Sequence, residues 1–187
     1  MDKKFKTYVL MLSEFFPVSH PKAGKPTDFR DALKANLQRL ECHKQRKCIG
    51  CGECVRHLKY HTIRKNADHW EKIAAEINAG RAILSIRQWS GKPYEKDTHQ
   101  IEIARITHIG TQRITMRYEW HPILKIFLPA SAEVKTPTNH TTVVRLPELA
   151  YNDGLSLVDF KHWFAVSNKR KTVEFHGVIL HFTDMRY

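Results

Sequence analysis

All four cysteines of the chain fall between Cys42 and Cys54, in the stretch ECHKQRKCIGCGECVRH. Cys48, Cys51 and Cys54 are separated by pairs of residues that include Gly50 and Gly52. A run of this kind makes a tight turn that aims several thiolates at one point. CIGCGEC is half of a bacterial ferredoxin motif, which continues with a fourth cysteine followed by proline. Here the chain continues VRHLKY, and the remaining cysteine, Cys42, lies upstream. Zinc suits the set better. A structural zinc is tetrahedral and takes four Cys or a Cys/His mixture. Cys42 closes the site, with His43 and His57 as substitutes. An iron–sulfur cluster and four reduced thiols without metal are the alternatives. A disulfide framework is not expected in a chain this long that shows no secretion signal. The metal reads as a staple for an inserted loop, residues 41–57, because nothing points to the open position a catalytic zinc keeps.

The 187 residues fit one domain, 1–187, with a core of its own and no internal boundary. No apolar run approaches the roughly 18 residues of a membrane span, and the start MDKKFKTYVLML lacks a cleavage site. A cytoplasmic protein with no membrane partner is expected. The net charge is +12. Its basic residues come in groups, Lys44, Arg46 and Lys47, then Arg56, Lys59, Arg64 and Lys65, then Lys169, Arg170 and Lys171. Such groups favour phosphate or another polyanion. Charge of this sort supplies attraction and no sequence specificity.

KTYVLMLSEFF reads as a first strand. A helix is expected from Thr27 as N-cap, with Asp28 in its first turn and Phe29, Leu33, Leu37 and Leu40 on one face. ADHWEKIAAEINAG is a second helix with the stripe Trp70, Ile73, Ala74 and Ile77, stopped by Gly80. RAILSIRQW and HQIEIARI read as strands, the second alternating through Ile101 and Ile103 and then either Arg105 or Ile106. RITMRYEW and ILKIFLP are further strands, and residues 129–142 are expected as a long surface loop within an elaborated region, 118–145. SLVDFKHWF is a third helix, with Ser156 and Asp159 at capping-box spacing and Leu155 and Phe160 at the staple positions. KTVEFHGVILHFTD alternates as a closing strand. The sum is α+β: a mostly antiparallel sheet or small barrel with flanking helices.

The segment LKYHTIRKN carries Lys59, Thr62 and Arg64. Thr62 and Arg64 share one face of a strand, being two apart. Lys59 has the other parity and joins them only from a turn or bulge before the strand. The trio offers a hydroxyl, a guanidinium suited to planar or anionic groups, and an amine. Lys beside Thr is one way to activate a hydroxyl nucleophile. A polar strand edge is the plainer reading of so short a run.

The chain resembles the ASCH domain family, whose signature is Lys-x-x-Thr-x-Arg near the start of a PUA-like β-barrel. Lys59, Thr62 and Arg64 match it. GRAILSIRQW is similar to the strand that follows in the family, through Gly80, Leu84 and Arg87. IEIARI, LAYNDGLSLVDFKHWF and FHGVILHF resemble later blocks in the same order. The resemblance implies a PUA-like barrel with the cysteine loop as an elaboration. It implies RNA binding in a basic cleft beside the signature, with Arg64 and Arg87 in it. Trp89, with Lys92 close by, is the favoured aromatic for base stacking, whereas Trp70 and Trp163 on helices are expected in the core.

The same resemblance implies a second possibility, an amidohydrolase that removes the acetyl group from N4-acetylcytidine. Thr62 is then the nucleophile, Lys59 its base and Asp153 the carboxylate, in a position where the family has Glu. Glu148 and Glu102 are the fallbacks. Asn-Asp-Gly at 152–154 is equally an ordinary turn. A third alternative is a non-catalytic interaction module of a larger assembly.

Overall fold

The computed structural model describes residues 5–44, 58–136, 138–167 and 174–187. The elements are β1 (Lys6–Leu12), α1 (Phe29–Lys44), β2 (His61–Arg64), α2 (Ala67–Asn78), β3 (Ala82–Trp89), β4 (Gln100–Ile106), β5 (Gly110–His121), β6 (Ile126–Lys135), β7 (Thr141–Val144), α3 (Leu146–Asn152), α4 (Leu157–Trp163) and β8 (Glu174–His181). They form two sheets, β1-β3-β4 and β2-β8-β5-β6-β7. Every pairing is antiparallel except β1 with β3. The class is therefore α+β with mostly antiparallel strands. The strands do not close into a barrel among the described residues, so the expected small barrel is replaced by two separate sheets.

One core joins the sheets. The apolar stripe of α2, Ile73, Ala74 and Ile77, is buried with Leu10 and Leu12 of β1, Leu84 and Ile86 of β3, Ile114 and Met116 of β5, and Val178, Ile179 and Leu180 of β8. Trp70 and Trp163 pack at its edge, as helix-borne aromatics should. No described helix is long and apolar enough to cross a membrane.

Several local signals act as their chemistry dictates. Gly80 has φ 68° and its N–H donates to the Ile77 carbonyl, ending α2. The Ser156 hydroxyl accepts from the Asp159 N–H at 3.1 Å and donates to the Asp159 carboxylate at 2.7 Å, fixing the start of α4, while Leu155 and Phe160 are buried beneath it. The ambiguity in β4 is resolved by a bulge. Ile86 pairs with Ala104 but Arg87 with Glu102, so Ile103 is an extra residue and the buried phase moves to Ile106.

Other expectations give way. Helix α1 begins at Phe29 because Asp28 sits in the left-handed region, at φ 59°, and its carbonyl takes the first helical bond, from Ala32 N–H. The Thr27 hydroxyl accepts from Phe29 N–H at 3.4 Å at the helix start and donates to Ser13 O at 2.7 Å, tying the loop to the end of β1. Residues 129–142 do not form a surface loop. Strand β6 runs through them to Lys135 and β7 follows at Thr141, so the connection is only the turn around Thr136–His140. Pro129 and the small residues after it carry little strand propensity. They are accommodated because the β5–β6 register shifts at Arg117/Tyr118, leaving Ala130 as the extra residue beside Pro129. Helix α3 is an addition to the expected elements. Its signals are a proline in the first turn and buried Leu146, Leu149 and Ala150 at helical spacing. Strand β8 does not alternate in burial as expected. From Gly177 to His181 it is buried on both faces, as a central strand can be. Gly177 has no room for a side chain, because a Cβ there would lie 2.5 Å from the Arg64 carbonyl.

Candidate functional site

Lys59 stands just before β2, in a stretch stitched between two helices. Its N–H donates to Ala32 O of α1 and its carbonyl accepts from Asn36 Nδ2 at 2.9 Å, while Tyr60 N–H donates to Asn152 O at the end of α3. The Lys59 side chain is fully buried. Its ammonium donates to Asp153 Oδ1 at 2.7 Å and to the Asp153 carbonyl, and lies 4.0 Å from the centre of the Phe29 ring. Asp153 caps α3 and is itself buried. Gly154, at φ 78°, turns the chain away directly under the lysine. A Cβ there would meet the Lys59 Cβ at 3.3 Å, so the Asn-Asp-Gly turn is also the floor on which the lysine stem rests.

Burial dominates the ionisation of this pair. Removal from water lowers the Lys59 pKa below its ordinary 10.5 and raises that of Asp153 above its ordinary 3.8, each opposed by the attraction of its partner. The guanidinium of Arg64 is also drawn inward. It donates to Met11 O at 2.8 Å and to Ile63 O at 3.1 Å, and burial lowers its pKa. It therefore anchors β2 to the end of β1 instead of lining an open basic cleft.

Thr62, Arg64 and Asp153 meet at one cavity, walled by Leu12 and Ser13 on one side and by Trp163 and Phe164 on another. Its volume is about 20 Å³, room for about one water molecule and not for a base. Lys59 thus reaches the site from before the strand and through Asp153. Neither fallback carboxylate is there. Glu148 pairs with Arg145 at 3.7 Å in the first turn of α3. Glu102 accepts from Ser85 Oγ and Arg105 Nε on the outer face of β3–β4, and the Ser85 bond chiefly lowers its pKa.

No family model, curated protein or solved structure matches this chain. The chemistry of the site is carried by its own residues. Arg87 lies on that same outer face, its Nε donating to Ser85 Oγ at 2.8 Å and its NH1 to Gln100 Oε1 at 3.1 Å, away from the small cavity. Trp89 and Lys92 are brought together in a groove of about 600 Å³. Leu12 and Ser13 line both this groove and the small cavity, so the two share a wall.

A polar cluster behind the lysine is absent from the sequence reading. His61 and His181 are register partners across β2 and β8 and are fully buried, with ring centres 5.7 Å apart. His61 Nε2 lies 2.8 Å from the Tyr187 hydroxyl, which accepts from Asn152 Nδ2 at 2.9 Å. His61 Nδ1, both nitrogens of His181 and Asn36 Oδ1 are buried without a hydrogen-bond partner among the described residues. Burial, with the charge of Arg186 adding to it, pushes the His181 pKa down to about 3. His61 falls well below its ordinary value for the same reason, aided by His181 and Lys59. The sequence signal for this cluster is slight: a histidine at the start of HTIR and another in the otherwise apolar GVILHF.

Of the cysteines, Cys42 lies in the last turn of α1, while Cys48, Cys51 and Cys54 fall outside the described residues. Among the described residues no group of three or more Cys, His, Asp or Glu side chains is arranged to hold a metal.

Proposed function

We propose that this chain is a cytoplasmic RNA-binding protein of the ASCH type, a variation on the PUA-like fold. The observation that carries the reading is the convergence of the matched residues. Thr62, Arg64 and Asp153 share one cavity, Lys59 is bonded to Asp153, and a groove holding Trp89 and Lys92 lies across a common wall. The net charge of +12 supports a polyanionic partner. With Arg64 bonded inside, phosphate contacts fall to cations nearer the surface, such as Arg87 and Lys92.

Single-stranded RNA is expected to bind with an affinity that falls as salt rises, by a log–log slope of about 0.7 for each phosphate neutralised. Arg87→Glu and Lys92→Glu are expected each to weaken binding at low salt and to flatten that slope. Fluorescence polarisation with a labelled oligonucleotide measures both. Absence of binding in the most dilute buffer would remove the reading.

The shared cavity of Thr62 and Asp153, with Lys59 bonded to Asp153, favours the amidohydrolase as a second reading. Thr62 then attacks the amide carbonyl, the C–N bond breaks and the amine leaves with the hydroxyl proton that Lys59 has taken and passes on, and water hydrolyses the acyl-Thr62 ester to acetate and the free hydroxyl. At about 20 Å³ the cavity admits no nucleoside as it stands, so turnover requires its Leu12–Ser13 or Trp163–Phe164 wall to part. Release of acetate from N4-acetylcytidine by the wild type, abolished in Thr62→Ala, would place hydrolysis ahead of simple binding.

For the cysteines we propose one zinc ion held by Cys42, Cys48, Cys51 and Cys54. Four thiolate donors are the chemistry of a closed structural site. Elemental analysis is expected to give about one zinc per chain. Visible charge-transfer absorption from iron and sulfide would replace zinc by a cluster, and metal-free protein with four titratable thiols would dismiss both.

A further inference from the structure

We propose that the groove between the segment after β1 and the β3–β4 loop is a subsite for one unstacked nucleobase, and that it selects bases carrying an amino group on their pairing edge. The inference rests on the RNA-binding reading and goes beyond it by assigning a ligand class and selectivity to this groove. Its walls are Phe15 and Phe16 on one side and Trp89 and Tyr94 on the other, with Lys92 and Glu14 among them. The volume, about 600 Å³, lies within the range of small-ligand sites.

Three features point to a planar, partly polar occupant. The first is Tyr94, which is 90% exposed. It is held out on a backbone with φ 65°, a region that large side chains rarely adopt. Its ring centre is 5.1 Å from that of Trp89 at an angle of 57°, so the two rings do not cover each other and each keeps a face to offer. Aromatic faces of this kind are where single-stranded bases stack.

The second feature is Glu14. Glu14 lines the groove, and its Oε2 is buried without a hydrogen-bond partner among the described residues, so the carboxylate meets a base only by turning its side chain toward the groove, where it gains the donor it lacks. A carboxylate accepts and does not donate. On a base it matches the amino group of cytosine, guanine or adenine. The pairing edge of uracil sets carbonyl oxygens on either side of its single N–H, and these repel a carboxylate. The third feature is Lys92, whose side chain is 75% exposed and whose ammonium pairs with exposed Glu95 at 3.3 Å. It is free to exchange that partner for the phosphate attached to a bound base. An apolar peptide would satisfy the rings and leave the carboxylate orphaned, so a nucleobase is the better occupant.

The probes are pentacytidylate and pentauridylate, two short RNAs that remain single-stranded, titrated against wild type, Trp89→Phe, Tyr94→Ala and Glu14→Gln at low salt. Intrinsic tryptophan fluorescence and polarisation of an end-labelled oligonucleotide are read in parallel. Wild type is expected to bind the cytidine oligomer about tenfold more tightly, with quenching that Trp89→Phe removes. Tyr94→Ala is expected to weaken both oligomers severalfold. Glu14→Gln is expected to abolish the preference while leaving uridine binding intact or improved. Tyr94 is exposed, so its loss does not threaten the fold, and thermal melting checks the others. Binding of both oligomers with equal affinity, or binding indifferent to Trp89 and Tyr94, would overturn the subsite and leave the RNA reading standing. Binding of neither oligomer would overturn both, and saturable binding of an aromatic peptide in their place would identify the groove as a protein-docking site.

Discussion

Asp153→Leu is expected to destabilise the fold by about 3–5 kcal/mol, the usual cost of leaving one member of a buried ion pair without its partner. Lys59 and Asp153 have side chains only 1% and 4% exposed, so bulk water does not reach the lost contacts. Lys59→Met alone is expected to cost a similar amount, because it strands Asp153 beside the dry ring of Phe29. The double variant Lys59→Met/Asp153→Leu tests the cause. Replacing both charges by apolar groups of similar length removes the desolvation cost together with the attraction, so at least half the lost stability should return. Urea unfolding of the four proteins closes this cycle. If the double variant is as unstable as the sum of the singles, the pair's charge is not what matters there, and the packing of the lysine stem over Gly154 is.

The second large effect is acid sensitivity. His61 and His181 are neutral in the fold because burial holds their pKa values below the ordinary 6.5, to about 3 for His181. The unfolded chain therefore takes up protons that the folded chain does not, and stability falls as pH drops from about 6.5 toward 3. At pH 5 the loss from His181 alone is about 2 kcal/mol, and His61 adds to it in the same direction. Asp153 works the other way. Its raised pKa makes the fold bind a proton first, between 3.8 and its folded value, which offsets part of the loss over that range. His181→Leu is expected to flatten the profile between pH 7 and 5 and to raise stability at pH 5, since it also removes two buried nitrogens that have no partner. Equal unfolding midpoints for wild type at pH 7 and pH 5 would refute this account.

Local signals in the sequence carry well into the structure, and signals that depend on a distant partner do not. The stripe of α2, the glycine that ends it and the serine that begins α4 each act within a few residues, so their chemistry is complete in the sequence. The phase of β4 was legible only as an ambiguity, because the bulge that decides it depends on where Ile86 and Arg87 lie in the neighbouring strand. Strand β6 was legible at its start, in ILKIFLP, but its continuation was hidden by Pro129 and its small neighbours, whose place in a ladder depends on β5. The closed barrel failed for a related reason: alternation names strands but not which edges meet. At the site, the parity of Lys59 against Thr62 and Arg64 correctly required the lysine to stand before the strand. That the arginine is bonded to Met11 and Ile63 is a tertiary fact, since a guanidinium in a basic run looks the same whether it faces solvent or a carbonyl. The histidine pair was invisible because its two members lie on strands far apart in the chain.

That separation bears on the order in which the molecule can be built. Among the described strands β2 is held in its sheet by β8 alone, and the His61 side chain waits on Tyr187, 126 positions later. A ribosome delivers the early segment long before its partner, so during synthesis the Lys59–Arg64 stretch has no ladder to join, and Lys59 has no carboxylate until Asp153 emerges. The nascent chain can assemble β1, α2, β3 and β4 first, since these close on one another over a shorter span. The basic, histidine-bearing segment is then an exposed strand edge that a chaperone must shelter or that risks pairing with the same segment of a neighbouring chain. Every copy that acquires the cavity around Thr62 has already threaded β8 between β2 and β5.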